Sequence, residues 1–144
     1  METKMKQALS LITLAIEDLS RSLVFYRDGL GWKPAFTTDE IAFFQLNGFV
    51  FSLFTKSGLA EDFGGEIKMG GKSIALAHNV KTRDDVDDIL NEIGTIDGST
   101  IVGSPVERSW GGYSGYFEDP DGHIWEVGWN PHWVISDDGH VSMS

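Results

Sequence analysis

The sequence predicts an α+β fold made of two βαβββ modules whose curved sheets enclose a cavity. Each half opens with an apolar, strand-like run, residues 10–16 and 73–80, and an amphipathic helix follows each run. The halves also align on each other around two turn glycines, Gly48 and Gly122. Internal duplication indicates a repeated structural unit, because one half alone leaves a sheet face uncovered.

These 144 residues fit a single domain, with halves at about 9–57 and 72–130. A glycine-bearing linker at 58–71 separates the halves, and we expect it to hold one helical turn and to act as a mobile flap. The polar C-terminal tail, residues 136–144, is expected to fray.

In the first half, residues 10–16 predict a strand buried on both faces. Asp18 is placed to cap the following helix. Three short strands are expected between residues 32 and 55, and Asn47-Gly48 predicts a hairpin in which both turn residues take positive φ. The apolar stripe of the helix is Leu19, Leu23, Tyr26 and Leu30.

The second half repeats this plan. Thr82 is placed to cap a helix, with Asp85 at its third position. Strands are expected at residues 99–106, 113–117 and 124–129, and the composition of residues 119–122, DPDG, predicts a tight turn between the last two. The buried stripe of this helix is Val86, Ile89, Leu90 and Ile93.

Composition excludes several classes of function. A net charge of −11 with scattered basic residues predicts no nucleic-acid partner. No apolar run reaches the roughly 18 residues of a membrane span. The N-terminal apolar stretch is too short for a signal peptide and lacks a cleavage site, so we expect a cytoplasmic protein. The absence of cysteine excludes disulfides, thiol catalysis and thiolate metal sites.

Two segments carry a family resemblance. The segment DLSRSLVFYRDGLGW after the first strand and YFEDPDGHIWEV near the end resemble the vicinal oxygen chelate superfamily. That superfamily contains glyoxalase I, bleomycin-resistance proteins, extradiol dioxygenases and fosfomycin-resistance enzymes. The resemblance covers about residues 9–129 and implies the tandem βαβββ fold and a homodimer.

The resemblance also implies four metal-ligand positions, one on the first and one on the last strand of each half. They fall at Leu11 (or Thr13, if the register slips by two), Ser52, Ser73 and Glu126, and only Glu126 is a competent ligand. Because zinc sites need about three or four protein ligands, we expect no metal cofactor and a metal-free pocket. A non-standard divalent-metal site, using His78 or His132 with Glu126, remains an alternative.

Candidate site residues follow from this comparison and from local chemistry. A carboxylate on the inner face of a sheet is costly unless hydrated, paired or protonated, so Glu126 is the candidate acid/base; pairing with Arg108 or a backbone amide is the structural alternative. The glycine-rich aromatic stretch 108–116 predicts a pocket wall, or else core packing around a bulge. The predicted substrate-binding residues are Ser52, Ser73, Trp110, Tyr113, Tyr116 and Glu126.

Function remains open between three readings. The first is a glyoxalase-like protein acting on a small organic molecule, a lyase, isomerase or dioxygenase relative without the usual ligands. The second is a non-catalytic protein that sequesters a small molecule, as bleomycin-resistance proteins do. The third is an interaction module with a filled core. The sequence leaves undecided whether the chain is an enzyme.

Overall fold

The computed structural model describes residues 4–143 and contains two four-stranded mixed sheets. Their strand orders are β1-β4-β3-β2 and β5-β8-β7-β6, so each half of the chain forms its own sheet. The first-half strands are β1 Leu11–Ile16, β2 Phe36–Thr37, β3 Ile41–Gln45 and β4 Val50–Thr55. The second-half strands are β5 Ala75–Asn79, β6 Thr100–Glu107, β7 Tyr113–Glu118 and β8 Ile124–Trp129. The short strands β9 Val134–Ile135 and β10 Val141–Ser142 pair near the C-terminus.

The first helix begins where the sequence predicts it. The Asp18 side chain accepts hydrogen bonds from the amides of Ser20 (2.9 Å) and Arg21 (3.3 Å), which would otherwise be unpaired. Helix α1, Leu19–Leu23, continues as a π-helical segment, Val24–Gly29. This segment buries Phe25 and Tyr26 completely, so the predicted stripe does face the core.

Helix α3, Arg83–Ile93, follows the same logic in the second half. The Thr82 hydroxyl accepts a hydrogen bond from the Asp85 amide at 3.1 Å, as a cap at this position requires. Val86, Leu90 and Ile93 are buried against the second sheet. The cap and the apolar spacing were therefore sufficient to locate this helix.

The β3–β4 hairpin forms where Asn47-Gly48 predicts it, but the turn differs. Only Gly48 takes a positive φ, of 122°, so the prediction that both residues do was wrong. The reason is a local hydrogen bond. The Leu46 amide donates to the Phe49 carbonyl at 2.9 Å, which closes a two-residue loop, but the Gly48 amide donates to the Leu46 carbonyl at 3.0 Å and forms a tight turn centred on Asn47, whose φ stays negative.

Strand β1 is less buried than its sequence predicts. Ile16 is fully buried, whereas Leu11 is 44% exposed. The strand lies at the edge of its sheet and pairs only with β4, in parallel, so one side of it is uncovered. The prediction of burial on both faces was wrong for the chain alone.

The linker between the halves holds more helix than the single turn expected. Helix α2, Lys56–Phe63, has eight residues and begins at Thr55, whose hydroxyl accepts from the Gly58 amide at 3.2 Å. It ends at Gly64, which takes the left-handed conformation (φ 82°) that glycine adopts without strain.

The helix-facing sides of both sheets share one core. Its centre is aromatic: the Tyr26 ring lies 5.2 Å from Phe51 of the first sheet and 6.3 Å from Trp125 of the second, and Phe117 stacks on Trp125 at 6.0 Å. Tyr26 also donates a hydrogen bond to buried Asp119 at 2.7 Å and accepts one from the Trp125 indole at 3.0 Å. The helix of the first half therefore joins the two sheets.

A second tie comes from the tight turn between β7 and β8. The Asp121 carboxylate accepts from the Glu17 amide (3.0 Å), the Arg21 guanidinium (2.6 Å) and the Ser22 hydroxyl (3.3 Å). Its side chain is only 1% exposed, so these charge-assisted bonds are shielded from water. Within residues 4–143, no helix is long and apolar enough to cross a membrane.

Candidate functional site

The candidate site lies on the face of the second sheet that points away from the helices. Phe117, Trp125 and Val127 point into the core and are almost fully buried. Because side chains alternate along a strand, Tyr116 and Glu126 point the other way. These two residues are register partners across β7 and β8. Both are partly buried.

The Tyr116 hydroxyl and the Glu126 carboxylate interact directly. The hydroxyl donates to Glu126 Oε2 at 3.2 Å. Burial, and then the neighbouring Glu126 charge, raise the pKa of the Tyr116 hydroxyl. Tyr116 therefore keeps its proton near neutral pH, and its hydroxyl orients the carboxylate while its oxygen can still accept a hydrogen bond from a ligand.

Arg108 supplies positive charge beside this pair without pairing with the carboxylate. Its Nε donates to the Ser114 hydroxyl at 3.0 Å and its Nη2 to the Ser114 carbonyl at 2.9 Å. The guanidinium carbon lies 5.5 Å from the centre of the Tyr116 ring. In the part of the chain that the structure describes, no ion pair joins Arg108 to Glu126.

The first sheet carries a different pair at the corresponding position. Thr13 and Ser52 are register partners across β1 and β4, and their hydroxyl oxygens lie 2.7 Å apart. Ser52 is fully buried. The two hydroxyls satisfy each other, so this pair shows no free acid, base or charged ligand.

These residues do not fit a divalent metal. The register places Thr13 opposite Ser52 and Ala77 opposite Glu126, which gives two mutually bonded hydroxyls, one methyl group and one carboxylate. Such a donor set lacks the three or four ligands that hold zinc. No group of three His, Asp or Glu side chains among residues 4–143 is placed to hold a metal ion.

The two histidines considered as replacement ligands lie elsewhere. His78 is the register partner of Val127, and its side chain lines a cavity on the helix side of the sheet, away from Glu126. His132 is exposed beside Gly111. Neither imidazole ring therefore lies where it could bind a metal ion together with the Glu126 carboxylate.

Ser73 is not placed beside Glu126. It is exposed and precedes β5, where it lines a cavity of about 290 Å³ together with Thr13, Met69 and His123. The residue opposite Glu126 is Ala77, four positions later. The structure thus separates Ser73 from the carboxylate with which the sequence comparison had grouped it.

The three aromatic candidates of the 108–116 stretch take three different positions. Tyr116 contacts Glu126, as described above. Tyr113 points toward α3, where its hydroxyl donates to Asp87 at 2.6 Å and its ring lies 4.4 Å from the Arg83 guanidinium. Trp110 is 46% exposed and its indole covers Gly112, where a side chain would collide with it.

Two features were missed by reasoning from the sequence. One is Ser114, which is fully buried and fixes Arg108 by two hydrogen bonds; alternation along β7 was the signal that could have placed it with Tyr116. The other is a cavity of about 520 Å³ on the helix side, whose walls include Trp32 and Trp125. The sequence carries a weaker signal for this cavity, because the cavity forms between elements that are distant in sequence.

Comparison with known proteins agrees with this architecture. The family model for the Glyoxalase/Bleomycin resistance protein/Dioxygenase superfamily matches residues 8–127. The crystal structure of a glyoxalase-related enzyme from Fulvimarina pelagi is 40% identical, with a TM-score of 0.89, over 95% of this chain and 98% of that one.

More distant structures share the fold. A glyoxalase/bleomycin resistance protein/dioxygenase from Nocardioides is 21% identical, with a TM-score of 0.76, over 88% of this chain and 85% of that one. A lactoylglutathione lyase from Agrobacterium tumefaciens is 21% identical, with a TM-score of 0.72, over 91% and 99%. The α+β fold predicted from the duplicated sequence is confirmed, and the chain belongs to the Glyoxalase/Bleomycin resistance protein/Dioxygenase superfamily.

Proposed function

We propose that this chain acts on a small organic molecule at the Tyr116–Glu126 face, without a metal, and that Glu126 is the general acid/base. The observation that carries the proposal is which groups contact the Glu126 carboxylate. Glu126 is partly buried and accepts a hydrogen bond from Tyr116, and among the described residues no cation pairs with it. A positioned, unpaired carboxylate on a sheet face is suited to proton transfer.

The surroundings favour a substrate on which negative charge develops. Arg108 is fixed by Ser114 beside Tyr116, so a positive charge is held next to the Tyr116–Glu126 pair. A preorganised charge of this kind stabilises an oxyanion or enolate without rearranging during the reaction. The substrate class we propose is therefore a small carbonyl or hydroxylated organic compound that loses a proton to Glu126.

The alternative is a non-catalytic protein that sequesters a small molecule. The observation that favours it is the flat indole of Trp110, which is 46% exposed and lies over Gly112. Aromatic surface of this kind suits the recognition of planar or amphipathic molecules. Turnover of a bound compound separates the two functions, because a sequestering protein returns its ligand unchanged.

We also propose a cytoplasmic homodimer. The lack of cysteine suits a reducing compartment. Pairing is supported by exposed apolar residues on edge strands, namely Leu11 on β1, Phe36 on β2 and Val106 on β6. Light scattering measures the mass in solution, and a monomer at all concentrations would contradict the pairing.

The proposed location of the site is tested by NMR titration in the presence of a chelator. A panel of small carbonyl and hydroxylated compounds is added to ¹⁵N-labelled protein in EDTA. We expect compounds that bind to shift the amide signals of Ser114, Tyr116 and Glu126. Binding that requires added metal ions, or that shifts only signals on the first sheet, would contradict the proposal.

A further inference from the structure

A second cavity, distinct from the Glu126 face, lies on the helix side of the second sheet. Its volume is about 520 Å³, within the roughly 300–1,000 Å³ range of small-molecule sites. It forms between the end of the π-helical segment, at Gly29 and Leu30, and helix α3. Phe117, Trp125 and Val127 of its wall belong to the face opposite Glu126, so the sheet itself separates the two sites.

The wall of this cavity is aromatic and fixed in place. The rings of Trp32 and Trp125 lie 6.0 Å apart at an interplanar angle of 79°, and Phe117 stacks parallel to Trp125. Trp125 is also held by its hydrogen bond to Tyr26. Rigid aromatic surface that is already ordered before binding favours a flat apolar ligand, since little side-chain entropy is lost.

His78 provides a polar group in this apolar setting. Its ring lines the cavity, and within residues 4–143 its side chain has no hydrogen-bond partner. His78 is exposed as a residue, but desolvation of its ring by the surrounding protein lowers the pKa of His78, so the imidazole is neutral at physiological pH. A neutral imidazole offers one acceptor nitrogen and one N–H donor to a ligand.

The cavity opens to water at a rim that includes Glu92 and Thr95. The Thr95 hydroxyl already donates to the Glu92 carbonyl at 2.6 Å, whereas the Glu92 carboxylate is exposed. The chain as a whole carries a formal charge of −11. The Glu92 carboxylate at the rim and the negative net charge of the chain both disfavour the entry of an anion.

We propose that this cavity binds a neutral, flat, bicyclic aromatic molecule with a hydroxyl group, which packs against the wall formed by Trp32 and Trp125 and donates a hydrogen bond to His78. The apolar wall selects the ring system, the imidazole selects the hydroxyl, and Glu92 selects against acids. This site is independent of the proposed chemistry at Glu126 and serves a second ligand.

The test uses 2-naphthol, naphthalene and 2-naphthoate as probes of the whole 144-residue chain. Calorimetry gives the affinities, and the indole N–H signals of ¹⁵N-labelled protein report the location. We expect saturable binding of 2-naphthol that shifts the signals of Trp32 and Trp125 but not that of Trp110, and weaker binding of 2-naphthoate. Shifts confined to Trp110, or tighter binding of the acid, would overturn the proposal.

Variants separate the contribution of His78 from simple burial. His78→Ala is expected to weaken 2-naphthol binding about tenfold, the worth of one hydrogen bond, and to leave naphthalene binding unchanged. His78→Gln, which keeps a polar side chain, covers the case in which the alanine variant folds poorly and is expected to retain part of the preference for 2-naphthol. Equal losses of affinity for 2-naphthol and naphthalene, or no loss for either, would contradict the proposed hydrogen bond to His78.

Glu126→Gln serves as the control on the opposite face of the sheet and is expected to leave 2-naphthol affinity unchanged. If this substitution weakens binding instead, the probe occupies the Glu126 face and the second site does not exist. A failure of the proposal for the helix-side cavity leaves the chemistry at Glu126 untouched. Unchanged turnover in Glu126→Gln with intact 2-naphthol binding identifies the reverse case, in which the acid/base role of Glu126 fails and the helix-side site stands.

Discussion

Replacing Glu126 with glutamine is expected to lower kcat/KM for the substrate of this protein by about 10²–10⁴-fold, the usual contribution of a general acid or base. Glutamine has nearly the same shape, and its carbonyl can still accept the hydrogen bond from Tyr116. It cannot take up a proton. The loss should therefore appear mainly in kcat, measured under saturating substrate.

Two further substitutions make this result interpretable. Asp137→Asn removes a fully exposed carboxylate near the C-terminus and is expected to leave kcat unchanged. Tyr116→Phe removes the donor to Glu126 and is expected to lower kcat by a smaller factor and to alter its pH profile, because the hydroxyl no longer orients the carboxylate. Unchanged turnover in Glu126→Gln would remove the acid/base role and favour a binding function.

Replacing Tyr26 with phenylalanine is expected to lower the free energy of unfolding by about 2–6 kcal/mol. The hydroxyl links two buried groups, because it donates to Asp119 and accepts from the Trp125 indole. Its removal leaves the Trp125 indole N–H and Oδ2 of Asp119 without a partner, although Oδ1 still accepts from the Asp121 and His123 amides. Each unpaired buried group costs about 1–3 kcal/mol. That is a large share of the roughly 5–15 kcal/mol that stabilises a typical domain. Urea denaturation measures the difference.

The same substitution should change how stability depends on pH. Burial raises the pKa of Asp119 above its ordinary value of 3.8, while the Tyr26 hydroxyl opposes this shift. In the window between 3.8 and the raised pKa the folded state binds the proton more readily, so stability falls as pH rises through it. Without Tyr26 the pKa rises further. The variant should therefore lose more stability at pH 7 than near pH 4.

Tyr113→Phe is the matched control, since it removes a tyrosine hydroxyl that also donates to an aspartate but lies near the surface. We expect a much smaller loss of stability and no comparable dependence on acid pH. If Tyr113→Phe and Tyr26→Phe destabilise the protein equally, the buried chain of hydrogen bonds is not what joins the halves.

The sequence predicted local structure well where one short segment determines it. Asp18 and Thr82 both cap helices, because a cap depends only on a side-chain oxygen and amides two or three residues away. The Asn47-Gly48 hairpin formed for a similar reason, although its turn type depended on a hydrogen bond from the Gly48 amide to the Leu46 carbonyl that the dipeptide does not specify. The exposed side of β1 was missed, because strand order, unlike a cap, is a tertiary property.

The site was harder to predict than the fold. Counting from turn glycines identified Ser52 and Glu126, but their partners depend on the register of parallel strands, where a slip of two residues preserves the pattern of faces. Thr13 is therefore the register partner of Ser52, and Ala77, not Ser73, is the register partner of Glu126. Likewise, composition could not distinguish Tyr113 from Tyr116, although the alternation of β7 sends them to opposite faces.

The central claim is that the Glu126 face works without a metal, and metal analysis tests it most directly. The protein is purified without chelators, and its content of nickel, zinc, iron, manganese and cobalt is measured by mass spectrometry alongside Glu126→Ala. We predict far less than one equivalent of any metal in both proteins, and activity that EDTA leaves unchanged. One equivalent of metal per chain in the unaltered protein, lost in Glu126→Ala, would contradict the account.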